Sequence, residues 1–204
     1  ELIEGEGELI EGEGELIEGE GEYVETICEG NLLWDGGFEQ GSTSELWSQY
    51  GSIFGTPLCT DATCGFGGGT GPYEGEWWAW FGGSNDIDTD YEGFMSQSVV
   101  IPESDTAFLS FWLEVPVVGN PGYLLCGIDD DFLFLVSDVD AAPYQVYSRV
   151  ILDVSAYADG ELHDVYFYSY IPADENPTNF FVDAVCLSLN TDLTPPANDD
   201  CATA

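Results

Sequence analysis

Positive charge is almost absent from this chain. Arg149 stands alone against 40 Asp and Glu residues, there is no Lys, and the formal net charge is −39 at pH 7. A nucleic-acid partner is excluded, because basic side chains are needed to neutralise phosphates. Binding to an anionic membrane surface is disfavoured for the same reason. Repulsion among the carboxylates instead favours the binding of cations, and Ca²⁺ is a hard ion that prefers carboxylate oxygens.

Several other features are missing from the sequence. No apolar run approaches the length of a membrane helix, so membrane insertion is not expected. There is no Cys-x-x-Cys pair or His-rich cluster, which argues against zinc. With a single histidine, His163, and no Gly-x-Ser-x-Gly turn, catalysis is poorly supported and the protein is predicted not to be an enzyme. His163 is expected to be structural.

The cysteines indicate the compartment. Six cysteines in a chain almost without basic residues favour an oxidising, extracellular or cell-surface setting with disulfides. No leader-like segment is recognisable, so the chain is expected to be a mature secreted form. Cys59 and Cys64 enclose a short Gly-rich loop and are expected to pair locally. Spacing alone leaves the remaining connectivity open.

The first 21 residues are three copies of the heptad Glu-Leu-Ile-Glu-Gly-Glu-Gly. A coiled coil is rejected, because Leu and Ile are adjacent and each glycine would cost about 1 kcal/mol in a helix. An extended arm fits better, although the odd period turns successive repeats to opposite faces. Such an arm is either a solvated acidic tail or a strand covered on both sides by a neighbouring copy. Its apolar residues are Leu2, Ile3, Leu9, Ile10, Leu16 and Ile17.

The rest of the chain reads as all-β. Short aromatic and β-branched runs alternate with Gly, Pro, Asn and Asp clusters, as in a β-sandwich. Strands are predicted at Asn31–Trp34, Leu46–Tyr50, Trp77–Phe81, Phe94–Ile101, Ala107–Val115, Tyr123–Ile128, Phe132–Val136, Gln145–Asp153, His163–Ser169 and Asn179–Leu189. In the central run, Leu109, Phe111, Leu113 and Val115 are predicted to face the core. The domains are an arm at 1–27, a sandwich at 28–190 and a Pro/Asp-rich tail at 191–204.

Five sequence blocks occur in an order that carries a resemblance. They are Asn31-Leu-Leu-Trp-Asp-Gly-Gly-Phe-Glu39, Pro57-Leu-Cys-Thr-Asp-Ala-Thr-Cys-Gly65, Glu76-Trp-Trp-Ala-Trp-Phe-Gly-Gly83, Ser96-Gln-Ser-Val-Val-Ile-Pro102 with Leu109-Ser-Phe-Trp-Leu113, and Asn179-Phe-Phe-Val-Asp183. Together they resemble the jelly-roll β-sandwich of bacterial secreted proteins, similar to carbohydrate-binding modules and MAM-type domains. The resemblance covers about Leu32 to Leu189, without the arm. It implies two antiparallel sheets with the first and last strands adjacent.

The resemblance also implies a structural Ca²⁺ where those strands meet. Glu39 and Asp183 match the two acidic positions that hold it, although Ala184 stands where a second Asp is usual. Backbone carbonyls of the turn at Tyr73, Glu74 and Gly75 are expected to add ligands, so Glu74 belongs to this site. The adjacency of first and last strands also implies that Cys28 reaches Cys186, leaving Cys126 and Cys201.

A second acidic run is Asn85-Asp-Ile-Asp-Thr-Asp-Tyr-Glu-Gly93, with acids at Asp86, Asp88 and Asp90. The alternation is typical of the start of a calcium loop, but the order of Gly and the closing Glu is wrong for an EF-hand. These three aspartates are therefore candidate metal ligands or solvated loop residues. The run Asp129-Asp130-Asp131 is instead predicted to be a hairpin turn.

Two functions follow from these features. In the first, the protein is a calcium-stabilised structural subunit that forms a homopolymeric, head-to-tail filament by docking its arm on a neighbour. In the second, it is a carbohydrate-binding or adhesive module, and the arm is an acidic spacer. A sugar-stacking platform would draw on Trp47, Trp77, Trp78, Trp80 and Trp112, but core packing is the expected use of most of them.

Overall fold

The computed structural model describes residue 28 and residues 30–83, 88–119, 121–173 and 177–189. Two antiparallel five-stranded sheets face each other. The strands are β1 (Ser48–Gly51), β2 (Leu58–Cys59), β3 (Trp78–Phe81), β4 (Tyr91–Val100), β5 (Phe108–Val117), β6 (Tyr123–Ile128), β7 (Asp131–Ser137), β8 (Ser148–Asp153), β9 (Leu162–Ile171) and β10 (Asn179–Ser188). One sheet has the order β1-β4-β9-β6-β7 and the other the order β2-β3-β10-β5-β8. The predicted antiparallel β-sandwich is confirmed.

The core lies between the sheets and follows the period of two. Leu109, Phe111, Leu113 and Val115 of β5 are all fully buried, as predicted from their alternation. Facing them, every second residue of β4 and β9 is also buried, including Met95. β10 is buried along its whole length, because the loop from β2 to β3 covers its outer side. That cover gives β10 the continuous apolar sequence of a strand with two hidden faces.

Helix is sparse in the described residues. A single α-turn, α1 (Asp61–Cys64), follows β2, and three 3₁₀ turns lie at Asp138–Asp140, Ala142–Tyr144 and Ser155–Tyr157. No helix in the described ranges is long and apolar enough to cross a membrane.

The prediction of a strand at Asn31–Trp34 is wrong. The segment forms bends beside β10, where the Asn31 side chain bonds the Val185 carbonyl at 2.9 Å and the Leu187 N–H at 2.9 Å. An Asn side chain therefore replaces part of a strand ladder. The segment still lies beside the last strand, as expected, since the Leu32 N–H donates to the Leu187 carbonyl.

Other strand limits also differ from the predictions. β2 was not predicted, and it is only two residues long. β8 begins at Ser148 rather than Gln145, because a 3₁₀ turn containing Pro143 precedes it. β4 and β9 are longer than predicted, and they pair over ten residues each.

Two disulfides are formed, one between distant parts of the chain and one within a single loop. Cys28 is bonded to Cys186 of β10, and Cys59 to Cys64 across α1, each with its Cα atoms 5.8 Å apart. These are the two pairs named from the sequence. Cys126 is a free, buried cysteine on β6. The arm, with Leu2, Ile3, Leu9, Ile10, Leu16 and Ile17, lies outside the described residues, as does the tail with Cys201.

Candidate functional site

Glu39 is held by the turn that precedes β3. Its carboxylate accepts the backbone N–H of Glu76 at 3.0 Å and that of Trp77 at 3.1 Å. Gly75 has a φ of 65°, and a Cβ at this position would lie 2.1 Å from the Glu39 Oε1. The glycine therefore makes room for the carboxylate and supplies the left-handed turn that few other residues adopt.

Asp183 lies in β10 at the same end of the sandwich and is fully buried. Its Oδ2 accepts the N–H of Tyr73 at 2.8 Å and that of Glu74 at 3.2 Å, and its Oδ1 accepts the N–H of Ala184 at 2.6 Å. Ala184 has a φ of 47°, in the left-handed region that costs a residue with a Cβ free energy. The strand is thus bent at this carboxylate, where its pairing with β5 also shifts register.

Three carboxyls at this end of the sandwich, those of Asp183, Glu74 and Asp35, have raised pKa values. Burial, with a smaller contribution from the Glu74 charge, raises the pKa of Asp183 to about 8, against the opposing effect of its three N–H donors. Burial and the Glu39 charge raise the pKa of Glu74. Burial also raises the pKa of Asp35, despite N–H donors from Gln40 and Glu39. The only Lys or Arg of the sequence, Arg149, donates to Ser110 and forms no ion pair within the described chain.

The donor set is of the kind that a hard cation binds, since all its side-chain ligands are carboxylates and their charge is uncompensated. Within the described ranges, however, no three His, Cys, Asp or Glu side chains lie together as a ready-made metal cage. The Tyr73 and Glu74 turn offers N–H groups to Asp183, so the expected role of its carbonyls is not visible there. The structure thus brings Glu39, Glu74 and Asp183 to one end of the fold and leaves calcium a prediction.

The second acidic run does not assemble a site in the described part of the chain. Asp86 lies outside the described residues, and Asp88 is an exposed residue in a bend. Asp90 accepts the Tyr170 hydroxyl at 2.6 Å and the Ala173 N–H at 2.8 Å. Both bonds hold the end of β9, and they lower the pKa of Asp90.

An apolar row crosses the outer face of the β1-β4-β9-β6-β7 sheet. Cross-strand partners share one face of a sheet, so the register alone defines the row. Tyr50 lies opposite Phe94, Phe94 opposite Tyr168, Tyr168 opposite Leu125, and Leu125 opposite Leu135. Tyr50 is 52% exposed and Leu135 is 55% exposed, at the two ends. We call these five residues the cross-strand row.

More aromatic rings border the cross-strand row. Tyr123 packs against both Tyr168 and Tyr170, with ring centroids 6.2 Å and 6.0 Å apart, and Phe94 stacks on Tyr166 at 6.4 Å. On the side of Tyr166, Phe132 of β7 is 71% exposed. The face is thus a broad aromatic surface rather than a set of single exposed residues, and patches of this kind mark binding sites.

Two of the three β9 tyrosines donate their hydroxyls to carboxylates, and the third donates to a backbone carbonyl. Tyr170 donates to Asp90, Tyr168 to Glu92 at 3.5 Å, and Tyr166 to the backbone carbonyl of Asp131 at 3.5 Å. Desolvation, then the Glu92 charge, raises the pKa of Tyr168 to about 12. The pKa of Tyr170 is also raised, first by its hydrogen bond to Asp90. The electrostatic potential over this aromatic surface is therefore negative.

The tryptophans named from the sequence do not form one platform. Trp47 and Trp78 are buried, and Trp112 stacks on Tyr73 at a centroid distance of 4.0 Å. Trp77 and Trp80 line a cavity of about 450 Å³ beside the Cys59–Cys64 disulfide, together with Phe54. Core packing is thus confirmed for Trp47 and Trp78.

His163 lies between two aspartates at the opposite end of β9. Its Nδ1 is 2.7 Å from the Asp129 Oδ2, and its Nε2 is 3.0 Å from the Asp159 Oδ1. The hydrogen bond with Asp129, followed by that with Asp159, raises the pKa of His163 against its desolvation. The imidazole joins the hairpin after β6 to the start of β9, which is a structural arrangement.

The tyrosines of β9 were missed as functional residues. Their signal is the run Tyr166-Phe-Tyr-Ser-Tyr170, in which three aromatics recur at the period of a strand. That spacing places the three tyrosines on one face. It does not reveal that Tyr50, Phe94, Leu125 and Leu135 continue the row across four other strands.

Comparison with solved structures identifies the fold. A family 61 carbohydrate-binding module, solved in complex with β-1,4-galactotriose, superposes with a TM-score of 0.55 at 16% identity, over 78% of this chain and 99% of the module. The protein has the jelly-roll β-sandwich fold of this module. The resemblance read from the five sequence blocks is thereby confirmed at the level of the jelly roll.

Weaker likenesses include a family 16 carbohydrate-binding module with a TM-score of 0.45 at 16% identity, over 78% of this chain and 99% of the module. A cyclase from Fischerella sp. has a TM-score of 0.46 at 12% identity, over 77% of this chain and 94% of the cyclase. Likenesses at this level carry no functional conclusion. No protein-family model matches the sequence, and neither does any curated protein.

Proposed function

We propose that this protein is a carbohydrate-binding module that holds an oligosaccharide across the outer face of the β1-β4-β9-β6-β7 sheet. The observation that carries the proposal is the cross-strand row of Tyr50, Phe94, Tyr168, Leu125 and Leu135. Its four strand intervals of about 4.8 Å give a length of about 19 Å. An elongated ligand of several sugar units matches such a row better than a single compact molecule does.

The chemistry of the surface suits a sugar. Pyranose rings have apolar C–H faces and polar edges, and aromatic side chains with a hydroxyl at the tip offer the same combination. Tyr123, Tyr166, Tyr168 and Tyr170 supply rings with donors and acceptors at their edges. The cavity of about 450 Å³ beside Trp77 and Trp80, lined in part by the Cys59–Cys64 disulfide, is the alternative place for a sugar.

Two further observations support the proposal. The jelly roll is shared with a module whose structure contains β-1,4-galactotriose. The disulfides fit an oxidising compartment, where extracellular polysaccharides are met. A non-catalytic, extracellular binding role is consistent with both.

A structural Ca²⁺ is part of this proposal. Glu39, Glu74 and Asp183 are the residues that would hold it; because they form no ready-made cage within the described ranges, their side chains would draw together around the ion, with water completing the coordination shell. When bound, the ion would supply the positive charge that these carboxylates lack. It would fix the turn before β3 to the bend in β10, without direct contact with the sugar surface.

Affinity electrophoresis in gels containing neutral polysaccharides, with β-1,4-galactan among them, tests the binding function. Tyr168→Ala is expected to weaken retention about tenfold, since central aromatic contacts dominate binding energy. Val100→Ala and Leu162→Ala are matched controls. They truncate exposed apolar residues that pair with each other on the same two strands, away from the row. Loss of retention in the controls but not in Tyr168→Ala would overturn the proposal.

The filament hypothesis stays a prediction, since the arm lies outside the described residues. It is tested by electron microscopy of the full chain and of a variant lacking residues 1–21, both at millimolar calcium. Filaments that disappear with the deletion would support arm-mediated assembly. Unchanged glycan retention in that variant would show that the arm is a spacer for the binding function.

A further inference from the structure

The aromatic surface around the cross-strand row is bordered by carboxylates on both sides. Glu92 lies two residues before Phe94 on β4, and Asp164 lies two residues before Tyr166 on β9. Both face outward with the aromatic rings and are exposed. Since residues two apart share a face, Glu92 lies about 7 Å from the row on one side, while Asp164, four residues from Tyr168, lies about 13 Å from it on the other side, beyond Tyr166.

The hydrogen bonds tie these acids to the ligand surface. Glu92 accepts the Tyr168 hydroxyl, and Asp90 accepts that of Tyr170. Asp164 accepts the Ser98 hydroxyl from the neighbouring strand. The carboxylates are therefore held at the edges of the aromatic face, and each keeps acceptor capacity for a further donor.

No positive charge of the described residues offsets them. Arg149 lies on β8, in the other sheet, and His163 faces inward on β9, between Asp129 and Asp159. The negative potential extends to the rings, because nearby carboxylates contribute to the raised pKa values of Tyr166, Tyr168 and Tyr170. Ligands that carry carboxylate or sulfate groups would be repelled from this surface.

From this charge complementarity we infer that the sugar polymer carries protonated amines, as a β-1,4-linked glucosamine oligomer does. This inference rests on the proposed glycan-binding function and specifies its ligand class. Glu92, beside the row, would accept a hydrogen bond from an ammonium group at the near edge, and charge-assisted bonds of this type are the strong ones. Asp164 lies farther from the row and would add electrostatic attraction at the opposite side. The tyrosine faces attract cations as well as C–H groups, so one surface binds both parts of the ligand.

The test compares two oligomers of equal length that differ only in N-acetylation. Isothermal titration calorimetry of the full chain is carried out with glucosamine and N-acetylglucosamine oligomers, at a pH where the free amines are protonated. The amine form is expected to bind about tenfold more tightly at low ionic strength. At 1 M salt, where the screening length is about 3 Å, this advantage should largely vanish.

Variants distinguish the effect of the carboxylates beside the row from the effect of the chain's overall negative charge. Glu92→Gln is expected to reduce the preference for the amine form, measured as the ratio of the two dissociation constants, about threefold, and Asp164→Asn is expected to reduce it by less. Asp61→Asn, which removes an exposed carboxylate from α1, should leave this ratio unchanged. Tyr168→Ala should weaken both oligomers together.

The outcomes distinguish this inference from the function on which it rests. If the acetylated oligomer bound as tightly as the amine form or more tightly, and Tyr168→Ala still weakened binding, the amine preference would be overturned. The glycan-binding function would then still stand. An oligolysine that binds with the same dependence on Glu92 and Asp164 would show a generic polycation site and overturn the amino-sugar assignment. If Tyr168→Ala changed the affinity for neither oligomer nor for a neutral galactan, the glycan function itself would be overturned.

Discussion

The carboxylate of Asp183 accepts the backbone N–H of Tyr73 at 2.8 Å, although 110 residues separate the two in the sequence. This bond anchors the loop between β2 and β3 to the last strand. It also fixes a carboxylate in a buried place, where the described chain supplies no cation. Its energetic consequences are measurable.

Stability should depend on pH through Asp183 when calcium is absent. Burial raises its pKa to about 8 from an ordinary value of 3.8, so the folded state holds the proton longer than the unfolded state does. The stability is therefore present below about pH 4 and is lost as the pH rises towards 8. In EDTA, the free energy of unfolding of the wild type relative to Asp183→Asn should fall over this interval. Chemical denaturation of both proteins at several pH values measures it, and a difference that stays constant with pH would contradict the prediction.

Calcium should reverse that loss. The ion binds ionised carboxylates of the folded state, and at a hundredfold excess over its dissociation constant it would stabilise by about 2.7 kcal/mol. Thermal melting in calcium and in EDTA at pH 7.5 is expected to show a higher midpoint with calcium for the wild type. The shift should be absent in Asp183→Asn and reduced in Glu39→Gln. An identical wild-type midpoint in both buffers would contradict the calcium site.

His163 should contribute a separate pH dependence. Hydrogen bonds with Asp129 and Asp159 raise its pKa in the folded state. Its stabilising effect is therefore complete below the unfolded pKa of about 6.5 and is lost as the pH rises through the folded pKa. His163→Gln should be less stable than the wild type at pH 5.5, with a smaller deficit at pH 8.5. A deficit that is the same at both pH values would show that the imidazole acts by packing alone.

The two disulfides should differ in their contribution to stability. Cys28 and Cys186 are 158 residues apart, while Cys59 and Cys64 are five apart. The chain-entropy relation gives about 5 kcal/mol for the long loop and about 2 kcal/mol for the short one. Urea denaturation of the Cys28→Ser/Cys186→Ser and Cys59→Ser/Cys64→Ser variants compares them. Equal losses would mean that effects in the folded state outweigh loop closure.

Much of the fold was predictable, because its signals are local. The alternation of Leu109, Phe111, Leu113 and Val115 identified the core face of β5, and the order of five motif blocks indicated the jelly roll. The strand expected at Asn31–Trp34 failed because the Asn31 side chain, rather than a ladder, bonds β10. Because a side chain replaces the backbone pairing here, the sequence keeps the apolar pattern of a strand although no strand forms.

The candidate binding surface was less predictable. Tyr166, Tyr168 and Tyr170 are visible as a period of two, but the cross-strand row depends on the register of five strands. Register is a tertiary property that no single segment specifies. The tryptophans were the sugar-stacking candidates in the sequence, yet Trp47 and Trp78 are buried in the structure.

The central claim is that sugar binds on the sheet face. It is tested most directly by nuclear magnetic resonance of the full chain with isotope-labelled tyrosine and tryptophan, titrated with oligosaccharides from the retention panel. Resonances of Tyr123, Tyr166, Tyr168 and Tyr170 are expected to shift progressively and to saturate. The indole signals of Trp77 and Trp80, which line the disulfide cavity, should stay in place. Shifts confined to those two indoles, with the four tyrosines unmoved, would contradict the account.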